Sequence, residues 1–169
     1  LPLLATTLVL EGGALEVDGQ GTAILTESCV LNRNRNPGWS RADCEAELHR
    51  LLGIRKVIWL PGIKNMDITD AHTDFYARFV RPGVVVAHRE MNPASYDYAL
   101  TRQHLEILQS ATDADDQPLE VIAIDGPGQI RPGHNPKTFA AGYINYYASS
   151  SAILRSNLGE RPRCFILSY

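Results

Sequence analysis

Several features are scarce in this 169-residue sequence, and each shortage excludes something. There are three cysteines, Cys29, Cys44 and Cys164, an odd number without CxxC spacing. That argues against a disulfide framework or a zinc cluster and predicts a reducing, cytoplasmic setting with no metal site. Positive charge is not in excess: 16 Lys+Arg face 19 Asp+Glu, a net charge of −3, so no nucleic-acid partner is expected. The apolar opening Leu1–Leu10 falls short of the roughly 18 residues of a spanning helix and lacks the basic lead and small-residue cleavage site of a signal peptide. No membrane partner is expected either. No Gly-rich run ends in Lys-Ser or Lys-Thr, which leaves no phosphate loop. Trp39 and Trp59 have no basic stripe beside them and read as packing anchors rather than stacking platforms.

What is present suits one folded domain over residues 1–169, because 44% hydrophobic and 21% charged residues suffice to bury a core. The order of structural signals also repeats. Ala14–Val17, the turn Asp18-Gly19-Gln20-Gly21 and Thr22–Thr26 predict a hairpin, since Asp-Gly tolerates the positive φ of a tight reversal. A helix follows, capped by Ser40 and stopped by Gly53, and Lys56–Leu60 reads as a buried strand. The second cycle predicts β runs over Thr73–Val80 and Val84–His88 around the turn Arg81-Pro82-Gly83, a helix over Tyr96–Ser110 and a strand over Leu119–Ile124. The turns are offset by 82 − 18 = 64 residues and the closing strands, from Val57 to Val121, by 121 − 57 = 64. A third cycle opens with Tyr143–Tyr147, a turn at Ser149-Ser150-Ser151 and Ala152–Leu154, and ends after Phe165-Ile166-Leu167. The expectation is an α/β chain of about two and a half ββαβ units, roughly 8–62, 72–126 and 142–169. Its open edges could pair with a second copy in a homo-oligomer.

Two places could carry chemistry. Glu11-Gly12-Gly13 sets a carboxylate beside residues that let a ligand approach the backbone, or is simply an exposed turn. Asp67-Ile68-Thr69-Asp70-Ala71-His72-Thr73-Asp74 is the densest titratable cluster. On a strand, His72 and Asp74 would share one face with Thr73 on the other, so an imidazole and a carboxylate could meet one ligand; alternatively His72 caps a turn and the acids are solvated. His49 and His104 lie in charged helical runs and read as solvated surface. Cys29, placed in a β run, and Cys44, on a helix, read as small buried hydrophobes, and Cys164 has no exposing turn.

These motifs, with Asn32-Arg33-Asn34-Arg35-Asn36-Pro37 and Val57-Ile58-Trp59-Leu60-Pro61-Gly62, together resemble the agmatine deiminase and bacterial peptidyl-arginine deiminase family. The resemblance runs from about Leu8 to Gly83 and continues more faintly through Gly142–Tyr147. It implies a partial pentein, an α/β-propeller built of ββαβ units, and hydrolysis of a guanidino group without metal or organic cofactor. By resemblance Glu11 and His72 are the acid/base pair, Asp74 binds the guanidinium of a small cationic substrate such as agmatine, and Gly12 and Gly13 line the approach. Asp70-Ala71-His72 and Arg81-Pro82-Gly83 look more like the agmatine branch. The family's nucleophilic cysteine sits in a Gly-rich last unit, and neither Cys164 nor any other cysteine of this chain matches it. The isolated chain is therefore expected to lack turnover. Two other readings stay open: a non-catalytic guanidine or polyamine binder or oligomer-forming remnant, and a non-haem iron oxygenase using His72, Asp74 and His134.

Overall fold

The structure is a computed structural model and describes residues 3–127, 142–148 and 153–155. The first unit begins with a 3-10 turn at Gly12–Ala14, continues as β1 (Leu15–Val17) and β2 (Thr22–Thr26), and passes through a short helix, α1 (Glu27–Val30). It then forms α2 (Arg41–Leu52) and β3 (Lys56–Leu60). The second repeats the plan with a 3-10 turn at Thr73–Phe75, β4 (Ala77–Arg81), β5 (Val84–Arg89), α3 (Tyr98–Ser110) and β6 (Glu120–Asp125). In each sheet the middle strand pairs antiparallel with the first and parallel with the third. The parallel crossover contains α2 in one unit and α3 in the other, as parallel pairing demands. A third hairpin pairs β7 (Tyr146–Ala148) with β8 (Ile153–Arg155). The expected turn at Ser149–Ser151, the run at Phe165–Leu167, His134 and Cys164 lie outside the described residues.

Local chemistry explains most element ends. Asp18 Oδ1 accepts from the N–H groups of Gln20 and Thr22, and Gly19 takes φ 75°, closing the first hairpin. Gly83, 64 residues on (83 − 19), takes φ 76° in the second. Helix α2 starts in a capping box: Ser40 Oγ accepts from Asp43 N–H at 3.2 Å while Asp43 Oδ2 accepts from Ser40 N–H at 2.9 Å. Gly53 ends it in the left-handed region, donating to the His49 carbonyl.

Strand β2 is buried along its whole length, so the core has two sides. Ala23 and Leu25 pack with Cys29, Val30, Cys44, Leu48 and Ile54 beneath α2. Ile24 joins Ile58, Phe79, Val85, Leu108 and Leu119, which welds the first unit to the second. Trp39 and Trp59 are half-buried against the first cluster, and Trp59 Nε1 donates to Glu45 at 2.6 Å.

Three local expectations need correction. Thr73–Phe75 is a 3-10 turn rather than strand, because Thr73 Oγ1 leaves the extended path to donate to the Ala14 carbonyl at 2.8 Å. Cys29 lies in α1 rather than in a β run, though it is fully buried as expected. His104 is fully buried instead of solvated. It shares the inward stripe of α3 with Leu100, Thr101 and Leu108, its Nε2 bonds the Pro61 carbonyl at 2.6 Å, and its ring meets Tyr76 edge-on. Burial holds its titration down to about 4, so it is neutral at pH 7. His49 is exposed as expected. No helix among the described residues is long and apolar enough to cross a membrane.

Candidate active site

The two 3-10 turns lie against each other and bring residues 61 positions apart (72 − 11) into contact. Glu11 immediately precedes the first turn in an extended conformation, and its carbonyl accepts from Ala14 N–H at 3.0 Å. His72 immediately precedes the second. Its Nε2 bonds Glu11 Oε2, so in the neutral ring Nε2 carries the proton and Nδ1 the lone pair. Gly13 is pressed between the partners. A Cβ there would stand 2.5 Å from His72 Nδ1 and 2.8 Å from Asp74 Oδ2, so only glycine lets the backbone come so close. Gly12 has nothing within 4 Å of such a position and faces open space.

The loop before His72 is held in an unusual shape. Asp70 and Ala71 both adopt left-handed φ angles, 60° and 71°, a strained pair for non-glycine residues. Side chains of the first unit pin it: Ser28 Oγ donates to the Asp70 carbonyl at 2.6 Å and Thr26 Oγ1 to that of Ala71. Asp67 accepts from Thr69 and Ala71 N–H groups, and Thr69 Oγ1 accepts from His72 N–H at 3.1 Å. The acid cluster is thus mostly structural in its first half and sets His72 and Asp74 of its second half against Gly13.

Electrostatics set the site's charge. Arg35 clasps Glu11 with both arms of its guanidinium, Nε to Oε1 at 3.1 Å and Nη2 to Oε2 at 3.0 Å. It also reaches Asp70 Oδ2 at 3.3 Å and the Thr69 carbonyl at 3.1 Å. The Arg35 fork, and then His72, hold the Glu11 carboxyl below its usual range. Asp74 is pushed the other way, up by burial, against the pull of His72, Arg78 and Asn145. Asn145 Nδ2 lies 3.2 Å from Asp74 Oδ2, while the buried Asp74 Oδ1 has no hydrogen-bond partner among the described residues. Beneath, Glu16 pairs with Arg78 at 2.7 Å and accepts from Phe79 N–H at 2.9 Å. Cys29 offers its sulfur within 4.8 Å of donor atoms of Glu11 and His72, but burial pushes its thiol up to about 11, as it does for Cys44.

His72 and Asp74 therefore meet at Gly13, and Glu11 joins them through His72 Nε2. His72 and Asp74 come together through the 3-10 turn, not through strand alternation. Reading the residues alone left out Arg35, Asp70, Asn145 and Cys29 as parts of this site. The signal for Arg35 was its place in the Asn-Arg-Asn-Arg-Asn-Pro run, and for Asp70 its place among clustered acids. Asn145, which arrives from 71 residues away (145 − 74), lay within the Gly142–Tyr147 stretch of the resemblance, where nothing assigned it a role.

The Porphyromonas-type peptidyl-arginine deiminase family matches residues 1–163, and the chain belongs to that family. Its α/β units are those of the pentein fold. An agmatine deiminase of Medicago truncatula is 36% identical over 178 residues, covering 95% of this chain and 48% of the relative. An agmatine deiminase of Pseudomonas fluorescens is 43% identical over 122 residues, covering 72% of this chain and 33% of the relative. The solved agmatine deiminase of Enterococcus faecalis superposes with a TM-score of 0.78 at 29% identity, covering 88% of this chain and 45% of that one. The chain thus spans about half the length, or less, of the relatives it matches.

Proposed function

We propose that the chain carries the proton-transfer and guanidinium-binding part of an agmatine deiminase site, which converts agmatine and water to N-carbamoylputrescine and ammonia. In this reading residues 1–169 make one partial pentein domain of units 8–62, 72–126 and 142–169. The observation that carries the reading is the buried Asp74 carboxylate, whose Oδ1 has no hydrogen-bond partner among the described residues, set against Gly13 beside the His72 of the Glu11–His72 pair. A buried carboxylate oxygen without a donor is costly, and a guanidinium N–H is a charge-assisted donor that would relieve it. Glu11 is already clasped by Arg35, so its task is to hold and polarise His72 while Asp74 takes the substrate. Gly12 and Gly13 leave the approach clear of side chains.

A guanidinium carbon is a poor electrophile, so the chemistry needs a thiolate, a fixed cation plane and a proton for the departing nitrogen. A thiolate that the described residues do not supply would add to the carbon, and the C–N bond to the terminal nitrogen would break as His72 delivers a proton and ammonia leaves. Water, deprotonated by His72, then adds to the carbon, and the C–S bond breaks to give the ureido product. Cys29 and Cys44 are buried with raised pKa values, so neither described thiol is the attacking group. Calorimetry of the purified chain with agmatine, alongside an ammonia assay, tests the proposal. Binding that falls at least tenfold in Asp74→Asn, without ammonia release, supports it; unchanged binding in Asp74→Asn, or no binding at all, refutes it.

A further inference from the structure

A second cluster lies at the end of β5, where His88 N–H donates to the Tyr76 carbonyl at 2.9 Å. His88, Glu90 and Asp97 each place one donor atom so that all three fall within 4.8 Å of one another. His88 is the last residue but one of β5, Glu90 starts the loop that follows, and Asp97 is the N-cap residue of α3. The imidazole is only 3% exposed, yet its Nδ1 has no hydrogen-bond partner. Its Nε2 stands 4.0 Å from Glu90 Oε2, too far for a hydrogen bond. A buried imidazole whose Nδ1 has no partner among the described residues and whose Nε2 faces Glu90 without a hydrogen bond, with an Asp97 donor atom within 4.8 Å of the group, is an unsatisfied arrangement that a cation would resolve.

The rest of the cluster is built around the same vacant donors. Glu90 uses Oε1 to accept from Asn92 N–H at 2.7 Å, and Asp97 uses Oδ1 to accept from Ser95 Oγ at 2.6 Å, so each keeps its second oxygen for another partner. Asp125 is engaged by Arg89 at 2.6 Å, and Arg102 near Glu90 spends one nitrogen on the carbonyls of Glu90 and Tyr98. Neither arginine donates to a Glu90 or Asp97 carboxylate. A neutral imidazole offers a lone pair, as a metal ligand must. Gly126 keeps the ring's place free: a Cβ there would stand 2.5 Å from His88 Cε1 and 3.2 Å from Nε2.

We propose that His88, Glu90 and Asp97 form a divalent-cation site of the zinc type that ties the end of β5 to the start of α3. One imidazole and two carboxylates suit Zn²⁺, whereas Mg²⁺ prefers oxygen and water alone. With metal–donor distances of about 2.1 Å, donors around a tetrahedral ion stand about 3.4 Å apart, so the carboxylates must close in by about 1 Å. Glu90, the more exposed of the two, can do so by rotating its side chain, and solvent completes the coordination.

Calorimetry of the purified 169-residue chain with ZnCl₂, and separately with MgCl₂, tests this independently of agmatine binding. Expected are one Zn²⁺ per chain, no measurable Mg²⁺ affinity, and at least a tenfold loss of Zn²⁺ affinity in both Glu90→Gln and Asp97→Asn. These near-isosteric changes keep the fold, which circular dichroism verifies. Cys29→Ala and Cys164→Ala should retain Zn²⁺, and Co²⁺ substituted at the site should show no thiolate-to-metal absorption band. No Zn²⁺ binding, equal binding of Mg²⁺, unchanged affinity in the two carboxylate variants, or loss of Zn²⁺ in either cysteine variant would each overturn the proposal.

Discussion

Replacing Gly13 with alanine puts the convergence of the site to its sharpest test. The new methyl would sit 2.5 Å from His72 Nδ1 and 2.8 Å from Asp74 Oδ2, where ordinary contact begins at 3.4 Å. One or both side chains must retreat by about 0.6–0.9 Å, because the glycine backbone is itself held by the Glu11–Ala14 turn. His72 is tethered through Nε2 to Glu11, and Asp74 Oδ2 to Asn145, so the retreat strains both hydrogen bonds. Overpacking of this kind costs roughly 1–3 kcal/mol of stability. On the role proposed for Asp74, a misplacement near 1 Å should also weaken agmatine binding by at least tenfold. Gly12→Ala is the matched control for stability, since nothing among the described residues lies within 4 Å of its added methyl, and it should change stability little. Urea unfolding of both variants and agmatine calorimetry on Gly13→Ala read the two effects. Equal stability of the two alanine variants would refute the claim that His72 and Asp74 meet at Gly13.

Arg35→Lys removes the fork but keeps the charge, so the Glu11 carboxyl should titrate closer to its ordinary range; carboxyl-detected NMR titration shows this, and an unmoved Glu11 would contradict the clasp. Glu16 is buried beside Arg78 and pushed up to about 7 from 4.5, so the native state holds its proton more tightly than the unfolded chain. Its contribution is full below pH 4.5 and is lost as pH rises through about 7, a fall of about 3 kcal/mol. Glu16→Gln should lack that fall, and urea midpoints from pH 4 to 9 that run parallel for the two proteins would exclude it.

How legible the protein was in its linear order depends on the range of the forces involved. The hairpin at Asp18-Gly19, the capping box at Ser40 and the Gly53 stop were readable because each is decided within four residues by hydrogen bonds and positive φ angles. The 64-residue offset was readable because β3 and β6 repeat one local plan. His104 was misread for the opposite reason. Its charged neighbours describe an exposed helix face, but the carbonyl that satisfies it belongs to Pro61, 43 residues earlier (104 − 61). Thr73 was misread likewise, since the Ala14 carbonyl that bends it out of a strand lies 59 residues away (73 − 14).

The sequence by itself determined the repeated units, their order and the set of residue types from which a guanidinium site can be built, because periodicity, turns and caps act between near neighbours. Only the tertiary structure decided that Arg35 clasps Glu11, that Asp74 keeps an oxygen without a partner among the described residues, and that Gly13 is the point where His72 and Asp74 meet. Those contacts join two units whose packing is set by the shared core of Ile24, Phe79, Val85 and Leu108. A burial force without direction brings distant segments together, and the charges and hydrogen bonds then sort which side chains meet at Gly13.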